Sequence, residues 1–572
     1  MNLLTNTAVL GIGLPLAPIT WAFGSVATLN VALTLSPFLS ALAMYVLMRR
    51  WVSWRPAAFG AGLLYGFSPY LLFTLTNAHL MLGMAFVPPL VVACLDEVLV
   101  RQQARPLLTG LTLALLVVVQ FFVGTEVLVI MLIGAGIGIV LMILFGLGHM
   151  SILRARAHYA LVAFGTAVAS ATVLLAYPLW FAVAGPAHLP GNIWGPNNID
   201  SYGGTSEGSY LVPAAPNPIN TALNRSFGGY QAPTFSAQYF GIGIVVVLIA
   251  GFIVWRRDVR LWLFGAVGLI SVPLSLGLRQ GSWTPWRLFV RLPELANIIP
   301  MRFLMVTYLA AAVMLGLIID HTYAEVGRRR TATSSDASAR PQRWRRTLVW
   351  PKLPSIAGVV VAAIALVPIA WFLSGSIPLA TQPTYIPTWF RTVAPHLRGH
   401  QVLLVFPAAY GIESSMTWQV LAGMDYSMVN QGGPGGAPFR LGREANGATI
   451  LDRVSYRFGP APTVTRSDIV AVRRALSGWG VTTVVLPDQK ELPPFDQVPS
   501  VTTVATLITA AIGRPPIWQS NAWVWTKVNR PASPAYTSKS QFLRCTAGAA
   551  GGEAASVHAA SVCVLSSSSP RQ

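Results

Sequence analysis

The sequence predicts a mainly α-helical protein: a polytopic transmembrane bundle of about ten helices, followed by a small α/β domain outside the membrane. Three observations carry that reading. Charge-free runs long enough to cross a bilayer recur through the first two thirds of the chain. Arginines gather in every second connection between those runs. Past Pro378 the long runs stop and short β-type segments begin.

Composition sets the class. Hydrophobic residues make up 54% of the chain and charged residues only 10%, with a mean hydropathy of +0.58. A soluble core cannot hide that much apolar surface. The candidate spans are residues 24–48, 56–78, 80–95, 107–125, 127–148, 159–187, 236–255, 261–278, 303–319 and 355–378. The third is short, and it fits because Asp96 and Glu97 can lie at its end.

A net charge of +20 would suit nucleic acid if the basic residues were clustered on one face. They are instead spread among alternate connections: Arg49, Arg50 and Arg55; Arg101 and Arg105; Arg154 and Arg156; Arg256, Arg257 and Arg260; and the run from Arg328 to Arg346. This is the positive-inside pattern, and it argues for membrane lipids rather than nucleic acid as the surroundings. It makes those connections cytoplasmic and places residues 1–23, and everything after the tenth span, outside. The expected location is the plasma membrane.

Two outward segments are long enough to matter. Residues 186–235 are rich in Pro, Gly, Asn and aromatics and read as an ordered, irregular loop. Residues 279–300 (RQGSWTPWRLFVRLPELANIIP) have aromatics and arginines at helical spacing, which suits a short helix in the interface. On the inner side, residues 331–342 read as a polar, disordered linker.

The bundle therefore occupies residues 1–378 and the α/β domain 379–530. In the latter, HQVLLVFP and GVTTVVLP are β-type runs, SDIVAVRRALSG is an amphipathic helix, and PIWQSNAWVWTKV alternates like one half-exposed strand. Leu403, Val405, Leu476, Val484 and Leu486 are its expected core. Residues 531–572, with AGAAGGEAAS and SSSS, read as a disordered tail. Cys545 and Cys563 lie in that outer tail, where oxidation could pair them.

No nucleotide loop, HExxH, paired CxxC or nucleophile elbow is present. The candidates are polar residues at the outward mouth. Asn77 and His79 occupy a very short outer turn; they suit a substrate hydroxyl or phosphate, or else a helix cap and a bonded turn residue. Glu126 is the sole charge between Arg105 and Arg154, with Gln120 one and a half turns inward; it faces a polar cavity or simply starts a helix. Arg279, Arg287, Arg291 and Arg302 break the charge pattern on the outer side. They suit a grip on a lipid-linked phosphate, or contact with headgroups.

The strings LLYGFSPYLLFTLTNAHLML, QFFVGTEVL, YFGIG, LPELANIIPMRF and VLLVFP…MTWQVLAGMDYSMVNQGG, with the layout above, resemble the GT-C class of bacterial glycosyltransferases. The likeness runs to about residue 530. It implies a polyprenyl-phosphate sugar donor and an extracytoplasmic glycan, lipid or protein acceptor. Glu126 and His79 would be the catalytic candidates, with Asn77, Arg287, Arg291 and Arg302 binding substrate; a metal is left open, a divalent cation among the options. In that class a further span and a loop bearing the catalytic aspartate come first. The resemblance therefore implies that NLLTNTAV begins partway through an outer loop, with the catalytic base upstream of Met1. The rivals are an envelope-lipid transporter or flippase, and a non-catalytic membrane scaffold.

Overall fold

The computed structural model describes residues 9–186, 210–211, 237–278, 284–289, 295, 298–337, 353–374, 381, 383–397, 399–409, 414–429, 445–455, 464–535, 538–547 and 553–566. Among the described residues two compact units are separated, the first ending after the last long apolar helix and the second starting at Thr381.

The first unit is helical. Its long elements are α1 (Ala17–Met48), α2 (Arg55–Gly66), α3 (Pro69–Thr76), α4 (Val87–Asp96), α5 (Pro106–Val123), α6 (Thr125–Gly146), α7 (Met150–Ala184), α8 (Ile242–Val254), α9 (Val259–Ser275), α10 (Leu304–Ala337) and α11 (Leu353–Ser374). Punctuation in the sequence sets the breaks. Pro56 and Pro69 each sit in a first turn, where a missing N–H costs nothing. Ser68 caps α3 by accepting a hydrogen bond from the Leu71 N–H at 3.3 Å. Glycine lets helices touch: a Cβ on Gly66 would lie 2.4 Å from the Pro37 carbonyl oxygen of α1.

Six helical stretches are long and apolar enough to cross a membrane, and α2 with α3, bent by 40°, would make a seventh. The expected ten is not reached on length alone. At 13 and 17 residues, α8 and α9 fall short of the roughly 20 a perpendicular span needs. One of the six is Thr125–Ala184, 60 residues, which as a straight helix would run about 90 Å. It is instead folded back at Leu147–His149: the Leu153 side chain returns to Gly146, and Gly110 of α5 abuts Ala163 and Thr166 of α7. The Tyr159 hydroxyl bonds the Ala104 carbonyl at 2.9 Å. α7 therefore climbs beside α5 in the same direction and packs directly on it, while α6 runs the opposite way.

α10 is the central post, with residues 303–319 buried without interruption. The helix also continues to Ala337, seven residues into the stretch expected to be a disordered linker. Of the second outer segment residues 284–289, 295 and 298–300 are described, with one helical turn at Trp286–Phe289; of the first, only residues 186 and 210–211 are described.

The second unit carries a five-stranded sheet in the order β2-β1-β3-β5-β4, with β1 (Val402–Val405), β2 (Ser427–Met428), β3 (Thr483–Pro487), β4 (Ile517–Gln519) and β5 (Ala522–Trp525). β1 runs parallel to both β2 and β3, and β5 antiparallel to β3 and β4. The expected core residues are all buried, but on opposite faces. Leu403 and Val405 pack with Trp389, Phe390 and Trp418, whereas Val484, Leu486 and Leu476 pack with Leu404 and Trp525. A central strand covered on both sides is apolar throughout, so alternation cannot assign its faces.

Two expectations for this unit are corrected. PIWQSNAWVWTKV is a hairpin rather than one strand, because Ser520 and Asn521 both take positive φ (47° and 57°), as a two-residue turn requires. The stretch expected to be a disordered tail contains helices Lys539–Thr546 and Glu553–Ser566, tied by a Cys545–Cys563 disulfide. Its Ala and Ser content hides an apolar stripe: Phe542, Val557, Ala560 and Val564 are buried, the first, second and fourth of them in the Leu404 core.

Candidate functional site

α6 starts at Thr125, so Glu126 sits in its first turn, where a helix favours negative charge. A 3-10 turn, Pro300–Phe303, leads into α10 and places Arg302 opposite. The two form an ion pair through Oε2 and Nη1, and both are mostly buried, at 19% and 16% side-chain exposure. The other carboxylate oxygen of Glu126 accepts the Ile299 N–H at 3.2 Å. One side chain thus ties the start of α6 to the segment entering α10.

His79 lies within electrostatic reach of Arg302. The chain reverses after α3 through Ala78, at φ 54°, and the His79 N–H bonds the Thr74 carbonyl at 2.9 Å. The following turn packs on α6 because Gly124 has no side chain; a Cβ there would stand 2.8 Å from the Met81 carbonyl oxygen. His79 keeps an exposed face. Partial removal of water from its ring, and then the Arg302 guanidinium, hold its pKa below the ordinary value. Its imidazole is therefore neutral near pH 7 and able to accept a proton. Tyr70, buried in α3, lies within electrostatic reach of the same Arg302.

The other expected residues are not drawn in. Asn77 is exposed and its amide donates to the Phe73 carbonyl of its own helix at 2.7 Å, which is the cap it could equally have been. Arg287 is exposed, on a turn that Trp286 anchors by packing edge-on to Phe303. Arg291 and Arg279 lie outside the described residues. Gln120 is buried; its amide nitrogen donates to Gly124 O at 3.1 Å and its Oε1 has no partner among the described residues. Residues 9–16 pack on this end of the bundle, with Ile12 set against Met84 and Val123. Among the described residues, no three His, Cys, Asp or Glu side chains converge as a metal site would require.

The structure adds what the motif search missed. Arg50, Asp96, Glu97 and Arg101 form a network at the opposite end of the bundle. Asp96 Oδ2 accepts from Arg50 at 3.2 Å and Arg101 at 2.9 Å, and Glu97 Oε2 accepts from Arg50 at 2.8 Å. Nearby, Asp258 holds Arg260 at 2.7 Å and His321 at 2.8 Å. The signal was present, since two acids follow an apolar run with arginines on either side. A cavity of about 1020 Å³ reaches from this network toward Met131 and Met305, and none of His79, Glu126 and Arg302 lines it.

Together these features define a class: a mainly helical membrane protein with a small mixed-sheet domain. No protein-family model and no curated protein matches the chain.

Proposed function

We propose that the protein is a plasma-membrane glycosyltransferase that moves a sugar from a polyprenyl-phosphate donor to an extracytoplasmic envelope acceptor. The observation that carries this reading is the ion pair of Glu126 with Arg302 at one end of the bundle, with His79 within electrostatic reach of Arg302. At rest Arg302 neutralises Glu126. A donor phosphate drawn to Arg302 would displace the carboxylate, leaving Glu126 or neutral His79 to take the acceptor hydroxyl proton. The acceptor oxygen then bonds the sugar C1 as the C1–O bond to the lipid phosphate breaks, and the phosphate leaves on Arg302.

The same reading has ten membrane passages, which counts α2 with α3 as one, α6 and α7 as two, and includes α8 and α9. The fold-back at Leu147–His149 supports that count. Arg50, Arg101, Arg156 and Arg260 gather around one cavity, so the positive-inside pattern makes that end cytoplasmic and the Glu126 end external. The domain after Thr381 is then extracytoplasmic.

The test is transfer from a panel of polyprenyl-phosphate sugars in membranes carrying wild type, Glu126→Gln or Arg302→Gln. Transfer that disappears in both variants while the protein level holds supports the reading. Transfer unaffected by either sinks it. Cysteine labelling checks orientation: Ser335→Cys should react only after permeabilisation.

A further inference from the structure

The cavity near the Arg50 network is walled by α4, α6, α7, α9 and α10. Nearly all its lining is apolar. The charged residues on it are Arg50, Arg101, Arg156, Arg260 and Asp96, four cations to one anion. We propose that it binds one anionic diacyl phospholipid, with the chains in the chamber and the phosphate at Arg156. This inference stands independently of the glycosyltransferase reading.

Charge accounting picks out Arg156. Asp96 is shared by Arg50 and Arg101, and Arg260 is held by Asp258. Arg156 has no ion-pair partner among the described residues and its side chain is exposed beside the chamber. Gln102 fixes its backbone, donating to the Arg156 carbonyl at 3.0 Å. An anion at this mouth would meet an unpaired guanidinium with three further cations around it.

Volume picks out two chains. A methylene occupies about as much room as a water molecule in the liquid, about 30 Å³. A chamber of about 1020 Å³ then holds roughly two sixteen-carbon chains. Its space comes from small residues on α6. A Cβ on Gly138 would meet only Val267, at 3.9 Å, and one on Gly134 would meet Val306 at 3.3 Å.

Access is from the side. Val100, Ile143, Ile152 and Leu161 line the chamber and are also exposed, at 39%, 48%, 48% and 72%. Acyl chains can slide in from the bilayer without crossing water. Chains gain little by leaving one apolar medium for another, so selection falls to the headgroup. The arginines around the mouth place it, by the positive-inside pattern, at the cytoplasmic leaflet, where anionic lipids are concentrated.

The test is native mass spectrometry of the full chain, released from detergent with equal amounts of phosphatidylglycerol and phosphatidylcholine of matched chains. Wild type should retain one phosphatidylglycerol, preferred at least fivefold. Arg156→Gln should bring the ratio near one. Gly138→Phe should abolish the bound lipid with an unchanged circular dichroism melt. If Gly138→Phe fails to fold, Arg156→Gln still decides the headgroup claim. Equal binding of both lipids to wild type, an unchanged ratio in Arg156→Gln, or lipid retained by folded Gly138→Phe would overturn the proposal. Displacement of phosphatidylglycerol by an equal amount of polyprenyl phosphate would also overturn it, in favour of an isoprenoid site.

Discussion

At the Glu126 end of the bundle a single carboxylate meets a single guanidinium and one backbone N–H. At the Arg50 end two carboxylates share two guanidiniums, and Glu97 also accepts the N–H groups of Gln103 and Ala104 at 2.6 and 2.9 Å. Both arrangements take charge out of water, which is tolerable only when each group keeps a partner. They differ in what survives a loss. Removing Arg50 leaves Asp96 its pair with Arg101 and Glu97 two backbone donors; removing Arg302 leaves Glu126 a single backbone donor. A redundant network suits a fixed structural joint. A solitary pair suits a group that changes partner during a reaction cycle, as the proposed exchange with a donor phosphate requires.

The largest expected effect breaks the solitary pair. Arg302→Met leaves Glu126 with one backbone donor, and we expect it to cost about 3 kcal/mol. Arg302→Met combined with Glu126→Gln should recover much of that, since neither charge is then stranded. Melting temperatures of the purified protein in detergent, arranged as a double-mutant cycle, measure the coupling. Additive losses would mean the two side chains do not depend on each other.

Next comes Asp258, which joins the arginine end to His321 and Arg260. Burial alone would raise its pKa; the hydrogen bonds from His321 and Arg260 more than offset this and hold the carboxyl well below the usual range. A depressed folded value means that the stabilisation is present above the ordinary carboxylate pKa. It is lost as pH falls through that value toward the folded one. Asp258→Ala should cost about 2 kcal/mol at pH 7, from two charged hydrogen bonds. The gap to wild type should narrow in melts taken between pH 5 and pH 3. A gap that widens toward acid would reverse the assignment.

Arg50→Met sharpens the comparison from the other side. Asp96 keeps Arg101 and Glu97 keeps its two backbone donors, so the expected cost is about 1 kcal/mol. That is a third of the Arg302 value for a residue making two ion pairs instead of one. Equal losses at the two ends would erase the distinction between redundant and solitary charge.

The helices of the bundle were legible because a bilayer imposes length and apolarity on every crossing, and Pro and Gly mark the breaks. The pairing of Glu126 with Arg302 was not. They are 176 positions apart in sequence, and nothing local says that the turn at Pro300 faces the start of α6. His79 and Asn77 are two residues apart and looked alike, yet one feels the Arg302 charge and the other caps its own helix. Backbone reversal at Ala78 decides which, and Ala does not advertise a positive φ. In the second unit the misjudged parts were those where composition misleads. Small residues in the helix Glu553–Ser566 resemble a linker until Val557 and Val564 are seen one face apart from solvent.

The smallest expected effect concerns His79 and separates it from the pair it borders. Its folded pKa lies below the ordinary histidine value, through partial desolvation first and the Arg302 charge second. Protonation is therefore harder in the native state than in the unfolded chain. Stability contributed by this group is complete above the ordinary histidine pKa and declines as pH falls through that value toward the folded one. His79→Gln should flatten that decline while leaving the melt at pH 8 unchanged, because the exposed ring face makes few contacts to lose. In Arg302→Met the repelling charge is gone, so the imidazole should titrate closer to its ordinary value. Proton NMR of a 13C-labelled histidine sample, compared between wild type, His79→Gln and Arg302→Met, reads this directly. A His79 resonance whose midpoint stays put in Arg302→Met would show that the guanidinium does not act on the ring, and would remove His79 from the candidate site.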